Sequence, residues 1–413
     1  MAVPVVNAVI NFSSGPSFAQ SFILNQGILG TNVLSDSAAV IVDVSNQINR
    51  IETRRGRNAL ADQFQTGTLT LRIIDQNGDF NPQNVTGPYY ELLTPMKKVQ
   101  ITATYSGVTY PIFSGFITSY VTTYPKEGDT DVAYTTIQAV DAFRLANNAQ
   151  VTTVAGSSAG DLSGTRINQI LDQIGWPASM RDIDAGLTTM QANPTNNRTS
   201  LAAMQTVSDS EYGALYVDAA GSFVFQDRNV TAGSIGGTPT VFTDAGAGIR
   251  YSDASWILND VLVFNKATIT RVGGTAQVAD NAASIEKYFL HSYYLDNLLM
   301  QTDAVALDYA EAYVASRAET SIRVDSITLD LYTPDYNAGI IAALDLEFFD
   351  PITVTTTQPG GSELTKTLQI FGVANVITPN SFKTTFVTLE PVLDALILSN
   401  NIYGTLDNNV LSY

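Results

Sequence analysis

His291 is the only histidine in this 413-residue chain, and cysteine is absent. A Ser-His-Asp triad would have to be built on His291, and a zinc site would need carboxylates for nearly every ligand. Its neighbours Phe289, Leu290, Tyr293 and Tyr294 mark His291 instead as a structural or surface residue. Without cysteine, disulfides and thiolate chemistry are excluded. Asp75, Asn77 and Asp79 alternate like the opening of a calcium loop. Phe80 then stands where that loop needs glycine and Thr86 where it needs glutamate, so the stretch reads as a turn. Gly156, Gly160 and Gly164 are spaced loosely like a phosphate loop. No Gly-Lys-Ser/Thr follows, and no lysine occurs between Lys126 and Lys266. Carboxylates are plentiful, but a glycosidase pair is defined by a separation that only the fold sets, and no two stand out. Arg50, Arg54, Arg55 and Arg57 form the densest positive cluster. No aromatic platform is interleaved with them, so they read as a polar loop or an inter-subunit contact rather than a phosphate site. The sequence therefore names no catalytic, cofactor-binding or metal-binding residue, and no cofactor.

Stepping out to the whole chain, hydrophobic content of 45% is ample for folding, and the length suggests two or three domains. Charged content is only 15%, below the usual roughly 25%. Thr, Ser, Asn, Gln and Ala fill the gap, which suits β surfaces covered by neighbours in an assembly as well as an ordinary soluble β protein. Of the net charge of −18, residues 1–150 contribute 9 basic against 11 acidic side chains, and residues 151–413 contribute 12 against 28. Such a surface repels nucleic acid, although plain solubility also accounts for it. No basic segment precedes an apolar run at the start, and no run approaches 18 apolar residues. No signal peptide or membrane span is expected, and the chain is expected to stay in a cytosol or in a particle assembled there.

Strand alternation dominates the first third. Leu69, Leu71 and Ile73 alternate with Thr68, Thr70 and Arg72, and strands are predicted at 68–74, 98–105, 111–122 and 132–141. Strands at Val5–Phe12 and Val40–Val44 precede them. Residues 151–165 read as a Gly/Ser-rich linker. Ile167, Ile170, Leu171 and Ile174 then form one apolar helical stripe, stopped by Gly175 and Pro177. A short helix holding Leu201, Met204 and Val207, with Ser200 as cap, leads to a hairpin over 214–226. Further strands are predicted at Val261–Phe264, 267–271, 327–331, 345–356, 365–377 and 382–390. A helix runs from about Thr302, as N-cap, to Ala318.

One internal echo stands out. Ile112-Phe113-Ser-Gly115 and Ile370-Phe371-Gly372 each sit beside a hairpin to a Thr-rich strand. Two β units of one plan around an α+β insert suggest a duplicated barrel, and chance likeness between hairpins is the rival reading.

The order strand, Asp75-Gln-Asn-Gly-Asp79-Phe-Asn-Pro82, Gly87-Pro88-Tyr89-Tyr90, strand, Pro111-Ile-Phe-Ser-Gly-Phe-Ile117 resembles the start of the tail-tip, or baseplate hub, proteins of long-tailed bacteriophages, often called minor tail proteins. Glu211-Tyr-Gly213 through Asp227-Arg228 looks like that family's middle module, and Leu368–Pro391 is similar to its closing strands. The family's glycine after Tyr288 is here Phe289. The resemblance implies a mainly β fold with an α+β insert: two tube-like antiparallel β-barrel domains flanking a small α+β module. The divisions would be 1–150, 151–235 and 236–395, the last with one long helix, then a C-terminal extension at 396–413. It implies a non-enzymatic homotrimer at the distal end of the tail of a virion assembled in the host cytoplasm. Implied partners are the tail tube or distal tail protein, a central spike or fibre, and the tape measure protein. DNA would pass its lumen without specific binding, the acidic excess helping it slide. Two other readings are a tail-associated cell-wall or polysaccharide hydrolase and a carbohydrate-binding adhesin.

Overall fold

A computed structural model describes residues 3–12, 40–57, 63–125, 132–228, 238–333 and 336–390. The expected extension at 396–413 lies outside them. The chain is mainly β, with large antiparallel sheets and a few helices.

The first strands are β1 (Val5–Asn11), β2 (Ile41–Asp43), β3 (Ile48–Gly56), β4 (Gln65–Ile74), β5 (Lys98–Tyr105), β6 (Val108–Thr123) and β7 (Tyr134–Val140). They pair antiparallel in the order β3-β4-β7-β6-β5-β1-β2. In β4 the alternation is realised: Leu69, Leu71 and Ile73 are buried and the threonines face away. Ser106 and Gly107, both at positive φ, make the two-residue turn between β5 and β6, whose twist matches the strands it joins. Asp75 builds the turn that follows β4. Its carboxylate accepts from the Asp79 N–H (2.7 Å), the Phe80 N–H (3.1 Å) and the Thr135 hydroxyl (2.7 Å).

The middle module holds α1 (Phe143–Asn148), β8 (Gln150–Val151), α2 (Ser163–Gln173), β9 (Arg181–Ile183), β10 (Arg198–Thr199), α3 (Ser200–Glu211), β11 (Ala214–Val217) and β12 (Phe223–Gln226). Helix α2 buries the predicted stripe of Ile167, Ile170 and Leu171. The cap of α3 is Thr199, not Ser200; its hydroxyl accepts from the Ala202 N–H. The expected linker at 151–165 is a pinned strap. The Gly160 N–H donates to the Met190 carbonyl, Leu162 bridges Thr189, and buried Arg166 donates to the Ser158 carbonyl (2.8 Å). Small residues are there for close approach: a Cβ on Gly164 would lie 1.7 Å from the Asp184 carbonyl oxygen.

The last part contains β13 (Thr240–Thr243), β14 (Asp253–Ile257), β15 (Lys266–Arg271), β16 (Gln277–Asp280), α4 (Ala282–Tyr288), β17 (Ser292–Leu298), α5 (Asp303–Arg317), β18 (Arg323–Asp330), α6 (Asn337–Asp345), β19 (Pro351–Thr357), β20 (Glu363–Thr378) and β21 (Ser381–Leu389). Thr302 caps α5 as expected, accepting from the Val305 N–H. Two strand expectations fail. Residues 261–264 carry a turn and irregular backbone, and Asp345 ends α6 while 346–350 connect it to β19 without strand structure. Helix α6 escaped the sequence reading because its run of Ile340, Ile341, Ala342, Ala343 and Leu344 has no polar face to set a period.

The sheet repeats itself. The order β14-β18-β21-β20-β19-β13 matches β3-β4-β7-β6-β5-β1, strand for strand in chain order. The one difference of direction is that β13 runs parallel to β19 whereas β1 runs antiparallel to β5. The match extends to single residues 253 positions apart. Phe116 pairs with both Lys98 and Val140, and Gln369 with both Pro351 and Leu389. The Met96 N–H donates to the Ile117 carbonyl and the Phe349 N–H to the Ile370 carbonyl. Met96 and Phe349 both hold a left-handed φ, 66° and 69°. A bulge follows at Thr118 and at Phe371. In this shared frame the echo noticed in the sequence is out of register, since Ile370 corresponds to Ile117 rather than Ile112. Bulges shift which residue occupies a given place, and apolar-aromatic pairs recur in any buried strand.

One ladder joins the copies. β3 pairs antiparallel with the second half of β20, from Gly56↔Gly372 to Ile51↔Ile377. Inside it the Asn375 amide donates to the Thr53 hydroxyl and accepts from the Thr384 hydroxyl. Gly56 sits at φ +98°, and a Cβ there would lie 2.3 Å from the Phe371 carbonyl oxygen. Gly56→Ala is expected to cost about 2–4 kcal/mol through backbone strain and lost ladder bonds, read as a lower urea midpoint. At the end of α4, Phe289 stands where the resemblance expects glycine and takes φ 64°, ψ 179°, a region suited only to glycine. Phe289→Gly is expected to stabilise by about 1 kcal/mol, strain relief outweighing chain entropy, in the same urea titration.

Candidate functional site

The arginine cluster lies on β3, at the joint between the two halves, rather than in a polar loop. Alternation splits it. Arg55 points inward, buried, and grips the Glu347 carboxylate with both terminal nitrogens while its guanidinium lies 5.2 Å from the Phe348 ring. Arg57 continues past the strand and stacks 4.2 Å over Phe371. Phe64, seven residues on, lies 5.6 Å from the Arg57 guanidinium, and the other ring partners come from roughly 300 residues away.

Arg50, Glu52 and Arg54 take the opposite face. Cross-strand pairing extends that face in rows through both halves: Gln138, Thr70, Glu52, Val376, Lys383 and Asp330 lie side by side, as do Thr68, Arg54, Ala374, Thr385, Thr328 and Asp253. Thr328 and Thr385 join hydroxyls at 2.9 Å. These two rows mix four threonines with three acidic, two basic and three other neutral side chains.

A cavity of about 690 Å³ opens where the first sheet unit, α3, α5 and β20 meet. Phe64, Phe349, Phe371, Tyr212, Tyr309 and Tyr313 line it, together with Arg57, Arg228 and Arg317. Tyr293 and Tyr313 stack at 3.9 Å, and Arg317 lies 4.2 Å over Tyr313. Such a surface can stack on planar groups and hydrogen-bond anions. Asp209 is the only carboxylate among the described lining residues, and it accepts from the Gln63 amide at 2.7 Å. A paired-carboxylate hydrolysis has no second member there. No signal in the sequence marked this cavity, because its lining comes from eight separated stretches.

The other candidates resolve into structure. His291 sits between α4 and β17; its N–H donates to the Asn265 side chain, and its ring Nε2 lies 3.1 Å from the Tyr288 carbonyl. Glu211 is fully buried and accepts from the Ser163 hydroxyl (2.9 Å) and the Thr188 N–H (2.6 Å), tying α3 to α2 and to the backbone at Thr188. Asp141 accepts from the Gly67 and Phe143 N–H groups, clamping the end of β7 to β4 and α1. Among the described residues no three histidines or carboxylates could hold a metal ion, and no helix is long and apolar enough to cross a membrane.

No family model and no curated protein matches the chain. Solved structures do. The 43 kDa tail protein of prophage MuSo2 from Shewanella oneidensis superposes with a TM-score of 0.51 at 13% identity, over 93% of this chain and 98% of that one. The tail protein from Neisseria meningitidis MC58 superposes with a TM-score of 0.55 at 10% identity, over 94% of this chain and 97% of that one. Over more than nine-tenths of the chain, the fold is that of these tail proteins.

Burial pushes the Asp141 carboxyl up to about 7, against the lowering pull of the two backbone N–H donors and Arg55. The folded chain then holds this proton between about pH 4 and 7 while the unfolded chain releases it, so this contribution to stability falls as pH rises through that window. The expected contribution is up to about 4 kcal/mol. Asp141→Asn should flatten the denaturant stability profile between pH 5 and 7.5.

Proposed function

We propose that this chain is a structural hub of a phage-type tail. Three copies close into a ring at the distal end of the tail, each giving two sheet units, so that a threefold assembly presents six near-equivalent positions to a sixfold tube. The observation that carries this reading is the repeated sheet, with its doubly paired strand residues, left-handed corners and bulges recurring 253 positions apart. A chain that needed only one barrel would have no use for a second in the same frame. The fold shared with two tail proteins supports the tail setting.

In this reading the domain divisions fall near 150 and 235, the units on either side being the ring segments and the module between them hanging outside. The tail tube or distal tail protein meets one side of the ring and a central spike or fibre the other, with the tape measure protein reaching the lumen. The face carrying Thr68, Thr70, Thr136, Thr328 and Thr385 suits a lumen wall. Hydroxyls hydrogen-bond water, and dispersed charges of both signs give phosphate no continuous track to grip. The ring acts by geometry and holds DNA back or lets it pass, with no covalent step. It assembles in the host cytoplasm.

Native mass spectrometry of the purified chain across a concentration series tests the reading. A species at three times the 44.3 kDa chain mass, with threefold rings in negative stain, is the expected result. Monomers alone at the highest concentration, with or without added tail-tube protein, would overturn it.

A further inference from the structure

The ladder inside one chain specifies the ladder between chains. In the second sheet unit, β19 occupies one edge of β20 up to Gln369, and β3 takes over that same edge from Gly372 to Ile377. The first unit repeats only half of this arrangement. β5 occupies the edge of β6 up to Phe116, and beyond it the edge from Ser119 to Thr123 has no strand beside it among the described residues. At the other end of the sheet, β14 pairs with β18 alone among the described residues. β14 is the counterpart of β3, and Ser119–Thr123 is the counterpart of the stretch of β20 that β3 covers. The chain thus carries one completed joint and the two separated halves of a second.

Resting on the trimeric reading above, we propose that β14 of each copy pairs antiparallel with the Ser119–Tyr124 edge of the next copy. The register follows from the completed joint. Arg54 lies opposite Ala374 there, and the shared frame carries Arg54 to Ile257 and Ala374 to Val121. Ile257 therefore faces Val121, and Leu258 faces Tyr120. The side chains fit that assignment. Val121, on β6, is 49% exposed and Leu258, just past the end of β14, is 62% exposed in the single chain. A bare edge ending in exposed apolar side chains is otherwise a template for uncontrolled pairing. A second copy covers these two edges at once, and the closed rotation leaves neither of them over. The completed joint uses arginines where this one uses apolar residues. The inner joint is fixed by its own chain, whereas the outer one must draw two chains together.

The chain has no native cysteine, so directed disulfides read the register cleanly. Directly opposite residues of an antiparallel pair place their Cα atoms within disulfide range. Three double variants are oxidised and run without reductant, alongside native mass measurement of each in the reduced state. Arg54→Cys/Ala374→Cys should give an internal disulfide with no change of size, which certifies the frame. Val121→Cys/Ile257→Cys should convert most of the chain to covalent dimers and trimers, with nothing larger. Thr109→Cys/Ile257→Cys, displaced along β6, should give none. If the reduced protein is trimeric yet Val121→Cys/Ile257→Cys does not cross-link, or the displaced pair cross-links equally, this seam is wrong and the ring stands. A ladder running past the trimer overturns the closed seam. If the protein is monomeric while Arg54→Cys/Ala374→Cys still closes, the ring reading itself fails, and the seam with it.

Discussion

Position 56 has to lack a side chain. β3 reaches β20 beside the bulge at Phe371, and the approach leaves no room for a Cβ. Several of the bonds that join the two halves gather around that contact. The Arg57 N–H donates to the Phe371 carbonyl, Thr53 and Asn375 close a buried side-chain network, and Arg55 reaches Glu347 across the joint. The apolar core then runs without interruption from Ala8 and Ile10 in β1 to Phe382 and Phe386 in β21. Backbone spacing at one residue thus decides whether two sheets share a core or merely share a chain.

The two copies agree in backbone and disagree in side chains. Met96 stands for Phe349, Lys97 for Asp350 and Phe116 for Gln369, yet the hydrogen bonds between these positions are the same. Both copies keep a non-glycine residue at a left-handed corner, which costs on the order of 1 kcal/mol each time. Reciprocal bonds across the corner offset that cost: the Met96 N–H donates to Ile117 and the Ile117 N–H to Lys97, with the same pair at Phe349, Ile370 and Asp350. A design held in main-chain bonds tolerates wide substitution. The tail proteins of the same fold accordingly share only 10–13% of residues with this chain.

That also explains what could be read from the sequence. Alternation in β4 and β5, the stripe of α2 and the cap of α5 are local signals, and each is realised. The register of the repeat was not legible, because bulges at Thr118 and Phe371 moved the equivalent residues out of the apparent alignment. The strap at 151–165 looked like a linker because glycine serves close packing as well as flexibility, and only the partners at Asp184 and Met190 tell the two apart. Arg55 and Arg57 read as a polar loop or an inter-subunit contact because Glu347, Phe348 and Phe371, which hold them, lie roughly 300 residues further along the chain. The absent glycine after Tyr288 left the local path open, and the chain keeps the conformation anyway through Phe289.

The copies are not decorated alike. Between β3 and β4 the chain spends only residues 57–64, whereas between β14 and β18 it inserts β15, β16, β17, α4 and α5, with a small core of their own around Tyr313 and Val314. A molecule that recognises the strand framework can count two berths on every chain. One that recognises the stacked tyrosines at Tyr293 and Tyr313 can count one. Binding stoichiometry alone would therefore reveal which layer of the protein a given ligand has found.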